Sequence, residues 1–128
     1  MKLPPVKFKK VKREEATALR VIALEYLLAT QKDLTHQLSV RFHTSVQEAA
    51  LLAELFLSLR TKLESGKAHF ALSINVAQAV TLLFACSAYF KAGVPTYENS
   101  VALNFINEID HQLKSINFNA GLQVMIMM

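Results

Sequence analysis

Two acid–histidine pairs stand at helical spacing, Asp33-x-x-His36 and Glu108-x-x-His111, the i, i+3 arrangement by which bundle helices present ligands to a pair of metal ions. Such a centre also needs a carboxylate from each of two further helices, and residues 68–90 contain no Asp, Glu, Lys or Arg. On a helical wheel His111 lies opposite the apolar stripe of its segment, and His36 lies opposite Leu27, Leu34 and Leu38. His36 and His43 share a face but are separated by about 10.5 Å of ideal helix, too far for one ion. We expect no metal, and these histidines read as solvated.

The single cysteine, Cys86, lies between Ala85 and Ser87 with no basic neighbour to favour the thiolate, so it reads as a buried, inert thiol. Glycines at 66, 93 and 121 are too scattered for a phosphate-cradling loop, and there is no Gly-x-Ser-x-Gly turn to present a nucleophile. Neither a reaction nor a cofactor is indicated, and the expectation is a protein that is not an enzyme.

Charge is concentrated at one end. Residues 1–13 carry Lys2, Lys7, Lys9, Lys10, Lys12 and Arg13 and no acid, whereas all ten acidic residues lie beyond them. The chain is therefore a nearly neutral apolar body with a basic arm, which does not suit a protein that is basic over its whole surface. The arm has three readings: a solvated tail, a contact for nucleic acid or another anion through Lys7, Lys9, Lys10, Lys12 and Arg13, or a β-strand edge guarded by lysines.

Residues 38–52, LSVRFHTSVQEAALL, resemble the helix-turn-helix motif: Leu38 and Phe42 are four apart, a tight turn ends in Ser45, and a second helix follows. The resemblance covers 15 of 128 residues. It departs from the motif at His43, where glycine is usual, and in the reading helix, where only Gln47 among Val46, Gln47, Ala50 and Leu51 suits a base edge. A corner between two bundle helices is the plainer account of the same residues.

These residues must be positioned by elements that the periodicity defines. The chain has 128 residues and is 52% hydrophobic, one domain with an apolar core and too few prolines and glycines for a disordered linker. A basic arm occupies 1–12, a helical domain 13–116 and an apolar tail 117–128. We expect an all-α fold, an irregular bundle of four main helices near 13–43, 45–64, 75–92 and 97–115, with a small strand element from the termini. The first helix carries Ala16, Ala23, Leu27, Leu34 and Leu38 on one stripe, a joint near Gln31-Lys32-Asp33, and a first half apolar nearly all round.

Thr44/Gln47 and Ser45/Glu48 have capping-box spacing for the second helix. Residues 70–74 read equally as extended or helical. Ser73 or Asn75 starts the third helix, and Thr96 or Asn99 caps the fourth. From Asn117 the tail alternates, with Phe118, Ala120, Leu122, Val124 and Ile126 on one side, which is the pattern of a strand. A strand needs a partner: the arm, residues 70–74, or the tail of a second subunit.

Residues 68–90 are long enough to span a membrane, but polar residues interrupt them, so we expect no span and a reducing cytoplasm. Leu51, Leu55, Leu57, Val124 and Ile126 exceed what one small core hides, which predicts a homodimer, and removing residues 118–128 is expected to shift oligomeric state or solubility. The leading functional expectation is a non-enzymatic interaction or assembly module acting through apolar helix surfaces. The alternative is a small DNA-binding regulator using residues 38–52 and the arm, with Gln47 as its base contact. A weaker third reading is an apolar-ligand pocket lined by Phe56, Phe84, Phe90 and Phe105.

Overall fold

The structure, a computed structural model, describes residues 3–36, 38 and 40–127, with the backbone alone at 121 and 124. It is mostly helical with a small two-stranded sheet. In chain order the elements are β1 (Val6–Lys12), α1 (Arg13–Thr35), α2 (Phe42–Glu64), β2 (His69–Ile74), α3 (Val76–Tyr89), α4 (Tyr97–Lys114) and α5 (Phe118–Met127). α1 packs against α2, α3 and α4, and α3 packs against the same α2 and α4, so the core lies between these four. Leu19, Ile22, Leu52, Leu55, Leu59, Leu82 and Ile109 are fully enclosed there.

The arm is a strand. β1 pairs antiparallel with β2, and the register slips by one residue between Phe8 and Val11. Alternation alone would turn Lys10 inward in the segment Val-Lys-Phe-Lys-Lys-Val-Lys. The bulge absorbs one residue, so Val6, Phe8 and Val11 all face the core while Lys7, Lys9, Lys10 and Lys12 face out. Phe8 stacks obliquely on Phe105 of α4, with ring centres 4.9 Å apart. The outer edge of β1 meets Gln112 of α4: the Lys7 N–H donates to Gln112 Oε1 (3.0 Å), and Gln112 Nε2 donates to the Lys7 carbonyl (2.7 Å). One side-chain amide thereby imitates the next strand. The sheet thus joins the N-terminal arm to the middle of the chain, not to the C-terminus.

Residues 13–43 are not one helix. α1 ends at Thr35, and Leu38, Val40 and Arg41 lie in turns before α2 begins at Phe42. Of the expected capping groups, Ser45 and Glu48 are used between helices instead. The Ser45 hydroxyl donates to Asp33 Oδ2 of α1 (3.3 Å), Arg41 pairs with the same carboxylate (3.6 Å), and the Tyr26 hydroxyl donates to Glu48. The helical hairpin is fastened at its turn by these contacts.

The later starts follow the sequence. Asn75 and Gln78 form a reciprocal cap on α3, with Gln78 N–H to Asn75 Oδ1 at 2.8 Å and Asn75 N–H to Gln78 Oε1 at 3.1 Å. Thr96 caps α4 by accepting the Asn99 N–H (3.2 Å). Gly93, at φ +81°, takes the left-handed conformation in the turn that leads to α4.

The tail is a helix, not a strand. Asn117 Oδ1 accepts the Ala120 N–H (3.0 Å) and starts it. Gln112 already occupies the edge of β1 at Lys7, so a tail strand has no free partner there, whereas a helix satisfies its own backbone groups. Within one chain α5 packs to no appreciable extent against any other element. No helix among the described residues is long and apolar enough to cross a membrane.

Candidate interaction surfaces

The helical periodicity of α1 divides it into two apolar faces. Leu19, Ile22, Ala23 and Thr30 face the core. On the opposite side Thr17, Val21, Leu24 and Leu28 follow one another at spacings of four, three and four, and the three hydrophobic residues are 39%, 47% and 60% exposed. α2 repeats the arrangement. Its core side is Leu52, Leu55, Leu59 and Leu63, and its outer side is Val46, Ala50, Ala53 and Leu57, with Leu57 59% exposed. Four-three-four spacing is the seam by which helices interdigitate.

α1 and α2 lie side by side over the same core, so both outer stripes point away from it. The Arg20 guanidinium spans the two helices, 4.5 Å above the ring of half-buried Phe56, and its Nε is buried without a hydrogen-bond partner among the described residues. At the α4 side, Tyr97 stands beside Val21 in a shallow cleft with Arg13, Glu14 and Glu98. Partial burial, with Glu15, Glu14 and Glu98 nearby, raises the Tyr97 phenol above its ordinary range.

Of the expected contact residues, Leu57 and Ile126 are on the surface, the latter 81% exposed. Leu51 is half-buried. Leu55 is fully buried in the core and presents nothing outward, because it falls on the same side of α2 as Leu52 and Leu59. The Val124 side chain lies outside the described residues. Val21, Leu24, Leu28 and Val46 were not among the contact residues expected from the sequence, although a first helix apolar nearly all round is the pattern that contains the first three.

A second surface is cationic. Lys7, Lys9, Lys10 and Lys12 project from the outer side of the sheet with His69, Ala71 and Ser73 of β2. Arg13 does not join them as a free cation: its Nη1 donates to the Leu63 carbonyl (2.6 Å) and closes the end of α2. Gln47 is also apart. The α2 residues beside β1 are Ser58 and Lys62, and Gln47 is about 16–22 Å from them along the helix. Residues 38–52 do not form two short helices, since 38, 40 and 41 are in turns and one helix runs from Phe42 through residue 52.

The remaining sequence candidates are dispersed. Phe105 lies against Phe8, Phe56 lies under Arg20, Phe84 is exposed and Phe90 is partly buried against the core. Among the described residues, no three His, Cys, Asp or Glu side chains gather as a metal site requires. Cys86 is buried, which pushes its thiol up to about 12. No protein family, curated protein or solved structure matches the chain.

Proposed function

We propose that the protein is a non-enzymatic assembly module whose four main helices form an irregular bundle, and that it pairs with a second copy of itself through the outer face of α1 and α2. The observation that carries this reading is the doubled apolar face of α1, with Val21, Leu24 and Leu28 set opposite an already complete core side. Two 23-residue helices side by side offer a face of about 35 Å by about 20 Å. That is roughly 700 Å2 per copy, near the roughly 800 Å2 per partner of a stable interface. Covering the exposed part of each leucine or valine is worth about 1 kcal/mol.

A two-fold axis brings each stripe onto its counterpart, which closes the assembly at two copies. A DNA-binding regulator is the weaker reading, because the outward face of α2 offers Val46, Ala50, Ala53 and Leu57 where base-reading side chains belong. The setting we assign is a reducing cytoplasm, where a lone buried thiol stays free.

Light scattering on the purified chain at about 50 µM tests the reading. The expected mass is twice the 14.3 kDa of one chain. Leu24→Glu with Leu57→Glu should give a monomer with an unchanged far-UV circular dichroism spectrum, since both side chains are exposed within one chain. A wild-type monomer at that concentration, or a dimer indifferent to both substitutions, would refute it.

A further inference from the structure

The lysines of β1 project from the outer side of the sheet. Beside them is a cleft of about 440 Å3, bounded on one side by Lys7, Lys9, Ala71 and Ser73 of the sheet and on the other by Ser58 and Lys62 of α2. Lys7, Lys9, Lys62, Ser58 and Ser73 reach it from three elements, Phe8 and Leu72 line it as well, and no acidic residue does. Among the described residues, Lys7, Lys9 and Lys62 form no ion pair. The acidic residues of α2 nearest in sequence are engaged elsewhere, Glu54 by Gln78 (3.4 Å) and Glu64 by Arg60 (3.0 Å). Arg13, donating to the Leu63 carbonyl, offsets the partial negative charge at the end of α2 that would oppose an anion. The neighbouring cleft across β1 is different: Glu15 and Glu108 line it with Lys10, and Lys9 stands between the two clefts.

We propose that the cleft between the sheet and α2 binds a phosphoryl group, held by the ammonium groups of Lys7, Lys9 and Lys62 and by the hydroxyls of Ser58 and Ser73. Convergence from separate elements suits a compact, multiply charged oxyanion, for which lysine acts as a point charge and serine as a neutral donor. An extended polyanion would instead be met by a line of cations with Lys10 and Lys12 contributing equally. The site does not depend on the pairing of α1 and α2, because Ser58 and Lys62 lie off the outer stripe of α2.

Inorganic pyrophosphate, titrated into the full chain and followed by amide chemical shifts, tests the proposal. Shifts should cluster at Lys7, Lys9, Ser58, Lys62 and Ser73. Lys9→Glu and Lys62→Glu, on different elements and both exposed, should each weaken binding about tenfold, while the equal charge change Lys32→Glu on α1 should not. No shifts at about 10 mM pyrophosphate would overturn the proposal. So would binding to duplex DNA or anionic vesicles that falls equally with Lys10→Glu or Lys12→Glu while pyrophosphate has no effect, since the face would then serve an extended polyanion.

Discussion

Removing the Tyr26 hydroxyl should unfasten the α1–α2 hairpin by a measurable amount. Glu48 is a carboxylate with only 7% of its surface exposed, and Tyr26 donates a hydrogen bond to it. Tyr26→Phe keeps the ring and takes away the donor. A hydrogen bond to a charged group contributes about 1.5–3 kcal/mol, and Tyr26 is only partly buried, so the expected loss is about 2 kcal/mol. The same contact has a pH signature. Burial first, then the hydrogen bond and negative charge of Glu48, raise the Tyr26 phenol from 10.0 to about 12.

A raised phenol means that the fold favours the protonated form. Its contribution is therefore complete below about pH 10 and is lost as pH rises towards 12. The ceiling is about 2.7 kcal/mol, which solvent screening of a partly exposed ring reduces to about 1–2 kcal/mol. Urea unfolding followed by far-UV circular dichroism, at one protein concentration, should show the cost of Tyr26→Phe at pH 7 shrinking as pH rises from 10 to 12. The raised phenols of Tyr89 and Tyr97 are common to both proteins and cancel. A cost under about 0.5 kcal/mol at pH 7, or one constant across the alkaline range, would refute the reasoning.

Asn99→Ala should cost about 2–3 kcal/mol in the same urea assay, because its buried amide accepts from the Lys91 N–H and donates to the Lys91 and Val94 carbonyls across the turn before α4. Gln112→Ala should cost about 1 kcal/mol and speed hydrogen exchange at the Lys7 amide specifically, since its side chain completes the edge of β1. Cys86 should resist thiol reagents at pH 8 in the folded protein and react promptly in urea, as a buried thiol pushed up to about 12 demands.

The helix starts at Asn75 and Thr96 are legible because each cap is satisfied within its own first turn, where sequence spacing is the whole geometry. Ser45 and Glu48 have the same spacing, but α1 supplies Asp33 and Tyr26 to them from 12 and 22 residues away, and local pattern does not encode that competition. The doubled lysine at 9 and 10 looks like a break in strand alternation until β2 provides a register against which one residue bulges. The tail satisfies both periods, since Phe118, Leu122 and Met125 also follow a helical line, and a helix satisfies its own backbone groups without a partner strand. Leu55 lies in the core and Leu24 on the surface for a related reason. An apolar residue outside the main stripe is available for contact only if no third helix covers it, and α3 adjoins α2 while the outer side of α1 is left open. Lys62, Ser58 and Ser73 are ordinary in sequence and become a group only when β1 and β2 pair beside α2.

The central claim is that two copies meet across α1 and α2. A dimer assembled from equal parts of isotope-labelled and unlabelled chains, examined for through-space contacts between copies only, tests it most directly. The account predicts such contacts from the methyl groups of Val21, Leu24, Leu28, Val46 and Leu57, all of which are exposed within one chain. Contacts between copies confined to the lysine face of the sheet or to α5, with none from these five residues, would contradict it.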